Sequence, residues 1–254
     1  MGNAILNYYT GTSGLVLPVP NKLFFPDAFK DRSRISYYAS LTNSIEINSS
    51  FYKVPRRSTV EKWQQEVPAH FRFTFKLFRG ITHQKDLLYD PGLIPSFFDV
   101  LAGVADKRGA LLVQLPASIR MAHYARLKVL LCALRDHDPG RHWKIALEVR
   151  HPSLYAGEVY ELLDELNMAM VIHDKKRAEA PLRENKTDFI YLRLHGPDGH
   201  YGGSYSDAVL YEYAGYIKEW IAGGKTVFVY FNNTLGQAFA NRRTLQEYVS
   251  ENSI

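Results

Sequence analysis

Residues 145–151 read IALEVRH, and the way their side chains alternate decides how the rest of the chain is read. In an extended strand, successive side chains point to opposite faces. Ile145, Leu147 and Val149 then share one face, and Ala146, Glu148 and Arg150 share the other. One face is fit to pack under helices. The other begins with a small residue and ends with an acid and a base. A barrel strand has this pattern when its outer face meets the helices and its inner face rises from packed interior to polar mouth.

Working outward, seven further apolar runs have strand character: AILNYYTG, SIEINSSF, FRFTFKLF, GALLVQLP, AMVIHD, DFIYLRLHG and TVFVYFNN. Amphipathic stretches separate most of them. STVEKWQQEV opens with Ser58 three residues before Glu61, the spacing of a capping box. Pro152 and Ser153 open SLYAGEVYELLDELN, in which Tyr155, Val159, Leu162, Leu163 and Leu166 recur at helical intervals. LIPSFFDVLAGVADK, YARLKVLLCALRD, AVLYEYAGYIKEWIAGG and GQAFANRRTLQEYV read the same way, with Gly223 and Gly224 as a helix stop. Eight strand–helix units in 254 residues predict an α/β fold, a single (β/α)8 TIM-type barrel, with residues 1–254 forming one domain. One link departs from the pattern. After the sixth strand, KKRAEAPLRENKTD is polar and contains Pro181, so its helix is expected to be missing or reduced.

The same parity extends to the other runs. It turns inward Glu46 and Asn48, Thr74 and Lys76, Leu112 and Gln114, Tyr191, Arg193 and His195, and Tyr230 and Asn232. Polar groups therefore gather at the C-terminal strand ends, where barrels build their sites. Ions placed there must pair with one another, with water or with a ligand.

The totals narrow the classes. Hydrophobic residues make up 46%, which is ample for a core and unlike a disordered chain. A net charge of +5 favours anionic partners only mildly. Cys132 is the single cysteine and lies in an apolar helical pattern, so it reads as a buried structural thiol. No internal disulfide and no cysteine-built zinc site can form. The first residues do not read as a secretory signal, and Leu6 weakens a lipid-attachment reading at Gly2. No run approaches the roughly 18 apolar residues of a membrane span. The expected setting is cytoplasmic, without a membrane partner.

Seven segments in order carry a family resemblance: GTSG (11–14), IEINSSFY (45–52), FKLFRGITH (75–83), QLP (114–116), EVRH (148–151), LRLHG with Tyr201, and FNNTLGQAFAN (231–241). Together they resemble the YecE-like family, also called domain of unknown function 72. The resemblance implies a single TIM-type barrel and supplies no activity. Two positions depart from the family pattern. Leu15 stands where the family usually has Trp, leaving Phe24 or Phe25 to supply an aromatic wall. Arg242 stands where the family tends to have a small residue.

Among the mouth residues, Glu46, Glu148 and Asp174 are the acids, and Lys76, Arg79, Arg150 and Arg193 are the fixed cations. His83, His151, His173 and His195 titrate nearer neutrality. Carboxylates and histidines from several strands would imitate a metal-dependent, nuclease-like barrel, but Arg150 and Lys76 compete for those carboxylates and no HExxH spacing exists. Neither metal nor cofactor is expected. A cationic mouth suits a small anionic ligand, because a guanidinium fork matches carboxylate or phosphate oxygens. The expected binding residues are Arg150, Arg193, Lys76, Asn48, Gln114, Tyr201, Tyr230 and Asn232. The expected acid–base residues are Glu148, His195 and Glu46, for hydrolase, lyase or isomerase chemistry on an anionic substrate.

Glu148 also reads as a salt-bridge partner that merely orients Arg150, and His83 and His173 read as structural. Glu46 and Glu148 as a glycosidase pair would come from strands nearly opposite each other. GGKT (223–226) lacks the earlier glycine of a phosphate loop, and Ser13 and Ser49 lack a G-x-S-x-G context. The rival class is nucleic-acid binding through Arg56, Arg57, residues 175–177, Arg242 and Arg243, with Phe51, Tyr52 and Tyr201 to stack on bases. A third reading is a ligand-binding barrel without turnover.

Overall fold

In the computed structural model, which describes residues 7–176 and 178–251, IALEVRH begins in strand β5 (Lys144–Glu148), and its two faces separate as the alternation requires. Ile145, Leu147 and Val149 enter an apolar cluster with Ile45, Phe73, Phe75, Leu111 and Val113. Ala146 enters a different cluster with Ala110, Leu112, Phe189, Tyr191 and Phe228.

The other strands are β1 (Tyr8–Thr12), β2 (Ser44–Ile47), β3 (Arg72–Lys76), β4 (Arg108–Gln114), β6 (Ala169–Met170), β7 (Ile172–His173), β8 (Phe189–Leu194) and β9 (Thr226–Phe231). All their pairings are parallel, as expected of strands joined by helical crossovers. The fold is therefore a parallel α/β fold.

The ladders form two sheets, ordered β1-β9-β8-β7 and β2-β3-β4-β5-β6, rather than the continuous eight-stranded ring expected from the sequence. The break on one side comes from a strand that changes partner. Met170 pairs with Leu147 and Val171 N still donates to Leu147 O, yet Ile172 already pairs with Leu192. On the other side, β1 touches β2 through one bridge, Ser13 to Glu46, backed by Gly14 N donating to Glu46 O. Gly11 permits that approach, because a Cβ there would sit 2.1 Å from Ser44 O.

Helices cover the outer faces. They are α1 (Arg34–Leu41), α2 (Ser49–Tyr52), α3 (Arg57–Gln65), α4 (Arg79–Thr82), α5 (Leu93–Leu101), α6 (Tyr124–Asp136), α7 (Gly157–Leu166), α8 (Asp207–Ala222) and α9 (Ala238–Ser250). The expected helices α5, α6, α8 and α9 form where the periodicity places them. Gly223 and the left-handed Gly224 (φ +83°) stop α8.

Two expected starts shift. Ser58 lies inside α3 and caps nothing, because Arg57 is the first helical residue and takes the Glu61 carboxylate itself at 3.1 Å. Pro152 and Ser153 make a separate 3-10 turn, after which α7 begins at Gly157. No helix forms among the described residues between His173 and Phe189, as the polar composition predicts. Cys132 is half-buried rather than buried. No helix among the described residues is long and apolar enough to cross a membrane. Three readings lie outside the described residues: the start of the first strand at residues 4–6, the Gly2 position and Arg177.

Candidate functional site

The inward faces of the two sheets meet, and their lowest layer is apolar. Ala110, Leu112, Ala146, Ala169, Val171, Phe189 and Phe228 fill it. Tyr230 lies in this packed region. Its hydroxyl is engaged by Ser44 Oγ at 2.5 Å and Thr74 Oγ1 at 2.7 Å, so the strand pattern wrongly counts it among ligand-binding residues.

Above this layer comes a fully buried ion network. Arg193 is 2% exposed, and Glu46 and Glu148 are wholly buried. Arg193 Nη2 and Nε donate to Glu46 at 2.8 and 3.1 Å, while Nη1 donates to Glu148 at 3.2 Å. Tyr191 OH adds a 2.6 Å bond to Glu46. Burial alone would raise both carboxyl pKa values. Arg193 outweighs it at Glu46, and Arg150 with Arg193 outweighs it at Glu148, so both stay below the usual range. The two acids share one guanidinium, which leaves no room between them for a sugar ring. Glu46 is therefore a structural counter-ion rather than an acid or base open to a ligand.

His195 completes this layer, and its partners fix its tautomer. Arg150 Nη2 and Arg193 Nη1 both lie 3.0 Å from Nε2. Arginine only donates, so Nε2 accepts and the ring proton sits on Nδ1, 3.3 Å from Asp174 Oδ1. Burial and the two arginines pull the imidazole below its ordinary pKa, against the Asp174 contact, so it is neutral. Tyr205 OH donates to the other Asp174 oxygen, and Asp174 Oδ1 accepts from His195 N at 2.6 Å. Strand parity does not reach Tyr205, which arrives on the loop after β8. That loop is held by tight glycine contacts. A Cβ on Gly196 would meet Gly202 O at 2.3 Å, and one on Gly236 would meet Gly203 O at 2.1 Å. Asn233 and Asn241 bond each other and the same loop, which gives FNNTLGQAFAN a structural role.

Over the ions opens a cavity of about 150 Å³ lined by Asn48, Tyr52, Lys76, Gln114, Arg150, Arg193, Tyr201 and Asn232. Seven of these eight are the expected binding residues, the exception being Tyr52. Among the described residues, no carboxylate lines it. Arg150 is paired with Glu148 through Nη2, while its Nη1 is buried without a partner among the described residues, as is Asn48 Oδ1. Lys76 lies 4.1 Å above the Phe51 ring, and burial, with Arg193 nearby, lowers its pKa to about 8. Glu148 and His195 sit behind this wall rather than on it. Arg79 is exposed on α4 and does not join the cavity.

Other expectations disperse. Phe24 is 61% exposed, and Phe25 is buried against Tyr37, so neither makes an aromatic wall at the cavity. The basic rim is partly paired, with Arg56 exposed and without an ion pair among the described residues. Arg57 binds Glu61 and Asp99, Lys176 binds Asp198, and Lys175 lies 4.1 Å from the Tyr201 ring centre. Arg242 is buried, as is Phe51, which leaves Tyr52 as an exposed ring. His173 and His83 take structural positions. His173 accepts Lys175 N at Nδ1 and holds Val149 O at Nε2, and burial lowers both imidazoles to about 4. Among the described residues, no group of three or more His, Cys, Asp or Glu is placed to hold a metal ion.

The comparisons agree on ancestry. The family model for the protein of unknown function DUF72 matches residues 9–253. The UPF0759 protein YecE of Escherichia coli K12 is 31% identical over 128 residues, 50% of this chain and 45% of that protein. The YecE protein of Escherichia coli O157:H7 matches equally, and the chain spans about half the length of these curated relatives. Among solved structures, a DUF72 family protein from Enterococcus faecalis superposes with TM-score 0.79 at 21% identity, covering 97% of each chain. One from Thermotoga maritima superposes with TM-score 0.75 at 22% identity, covering 96% of this chain and 99% of that one. At such identities, likeness bears on the fold alone. With its family model matched across nearly the whole length, this chain belongs to the DUF72 family.

Proposed function

We propose that the two sheets are halves of one eight-unit barrel, residues 1–254 forming a single domain. We propose further that the cavity over its ion layer binds a small anion, carrying phosphate or carboxylate. The observation that carries this reading is the unpartnered Nη1 of Arg150, buried in a wall that holds three cations and no acid. A buried donor without an acceptor is costly, and an anionic oxygen would satisfy it. Asn48, Gln114 and Asn232 would orient the guest. The cavity is small, about 150 Å³, which suits a phosphate or short carboxylate rather than a polymer. Nucleic acid is disfavoured because Arg57, Lys176 and Arg243 already pair with acids and Arg242 is buried.

Any acid–base step on the bound anion falls to Lys76, whose pKa of about 8 leaves it able to donate or accept near neutrality. Glu148 and His195 act behind the wall, holding Arg150 and Arg193 in position. Calorimetric titration with inorganic phosphate and with small carboxylates tests the reading. Binding to the wild type that disappears in Arg150→Ala supports it, and equal binding by both proteins refutes it.

A further inference from the structure

The core-facing stripe of α9 contains a residue that does not belong in a core. Ala238, Asn241, Arg242, Leu245 and Val249 are its buried positions, and Arg242 is only 6% exposed. Its guanidinium makes no hydrogen bond or carboxylate pair among the described residues, and its Nε is buried without a partner. Beneath it on β1, Tyr8 OH and Thr10 Oγ1 are also buried and have no hydrogen-bond partner among the described residues. The nearby acid, Glu247, lies instead 3.8 Å from Arg243. Burial lowers the pKa of Arg242, the mark of a desolvated charge that Tyr38, Tyr8 and Glu247 offset only in part.

Arg242 opens onto a groove of about 640 Å³ between α1 and α9. Val16, Leu17, Leu41 and Phe239 supply apolar wall, and the Phe239 ring centre lies 5.2 Å from the guanidinium carbon. This groove shares no lining residue with the Arg150 cavity. A volume of this size is in the range of small-molecule sites, and a few polar groups amid apolar walls, here Arg242 with Ser40, Gln237 and the exposed Arg243, are their usual composition. We infer that the α1–α9 groove binds a small carboxylic acid with an apolar body, the carboxylate on Arg242 and the hydrocarbon along Val16, Leu17, Leu41 and Phe239. A carboxylate matches the guanidinium fork, and the apolar walls select against a bare inorganic anion.

Octanoate is the probe, read by thermal shift and calorimetry on the full chain. It should stabilise the wild type saturably. Arg242→Met should weaken that binding tenfold or more. Ala240→Trp, which fills the groove from an exposed position, should do the same while leaving Arg242 in place. Arg150→Ala should keep the octanoate response in full, which separates this site from the cavity at the strand ends. Absence of an octanoate shift in the wild type, or an undiminished shift in both groove variants, would overturn the inference. If Arg242→Met fails to fold, Ala240→Trp alone decides the matter. Retained binding in that variant overturns the inference, and lost binding supports it.

Discussion

Arg193, within β8, and Arg150, just past the end of β5, reach the same glutamate from different sheets, yet they sit in different surroundings. Around Arg193, every face of the guanidinium is taken by Glu46, Glu148 or His195, and the side chain is 2% exposed. Around Arg150, one nitrogen holds Glu148 and His195 while Nη1 has no partner among the described residues, and the side chain is 11% exposed. A charge surrounded by opposite charges is part of the fold's interior. A charge with a spare donor facing a cavity is available to a guest. Two arginines that look alike in the strand pattern therefore divide into a support and a binding group.

The largest effect should come from removing the support. Arg193→Ala leaves two buried carboxylates with at most Arg150 between them, and breaking such a network costs about 3–5 kcal/mol. Urea denaturation would measure it, and a loss under about 1 kcal/mol would mean that the ion layer does not depend on Arg193.

Acid should act on the same interior. Unfolded imidazoles take up protons near pH 6.5, whereas His173 and His83 do so only near 4. The unfolded chain therefore binds more protons between those values, and stability falls as pH drops from about 6.5 to about 4. Melting temperatures flat from pH 7 to pH 5 would contradict the neutral assignment of the buried His173 and the half-buried His83. His173→Gln should shallow the slope.

On the binding side, Arg150→Ala should leave a folded protein, because Glu148 keeps Arg193. It should weaken inorganic phosphate binding tenfold or more, about 1.4 kcal/mol. Matching phosphate-induced shifts in melting temperature for wild type and variant would erase the distinction between the two arginines.

The smallest effect belongs to Lys76. Its charge is present below about pH 8 and lost above, so anion affinity should decline as pH rises through that value. Lys76→Met should weaken binding about fivefold at pH 7 and flatten the decline. A pH profile unchanged by the substitution would assign the titration to another group.

Much of this was legible in the chain. Ile145, Leu147 and Val149 set against Ala146, Glu148 and Arg150 gave the two faces of β5 correctly, and the same count assigned Ile45, Phe73, Leu111 and Leu192 to the outer packing. Six of the eight residues lining the cavity follow from inward parity, and Tyr201 follows from the family resemblance. The failures share a cause. Tyr230 has the right parity but the wrong depth, and parity carries no depth. Ser58 and Glu61 have capping-box spacing, but Arg57, with an acid within reach on α5, claims the first helical position. Tyr205 and Asp174 meet through a loop, where no period operates. The partner change at Val171, which divides the ladders into two sheets, leaves no mark in an apolar run.

The sequence by itself determined which face of each strand is apolar and that ionisable groups gather where the strands finish, because alternation in an extended backbone is a local rule. Only the tertiary structure decided that Glu46 and Glu148 close on one guanidinium, that His195 is held neutral between two arginines, and that Arg150 keeps a free donor. Those outcomes depend on distances of about three ångströms between residues as far as 147 positions apart, and no local pattern encodes such distances.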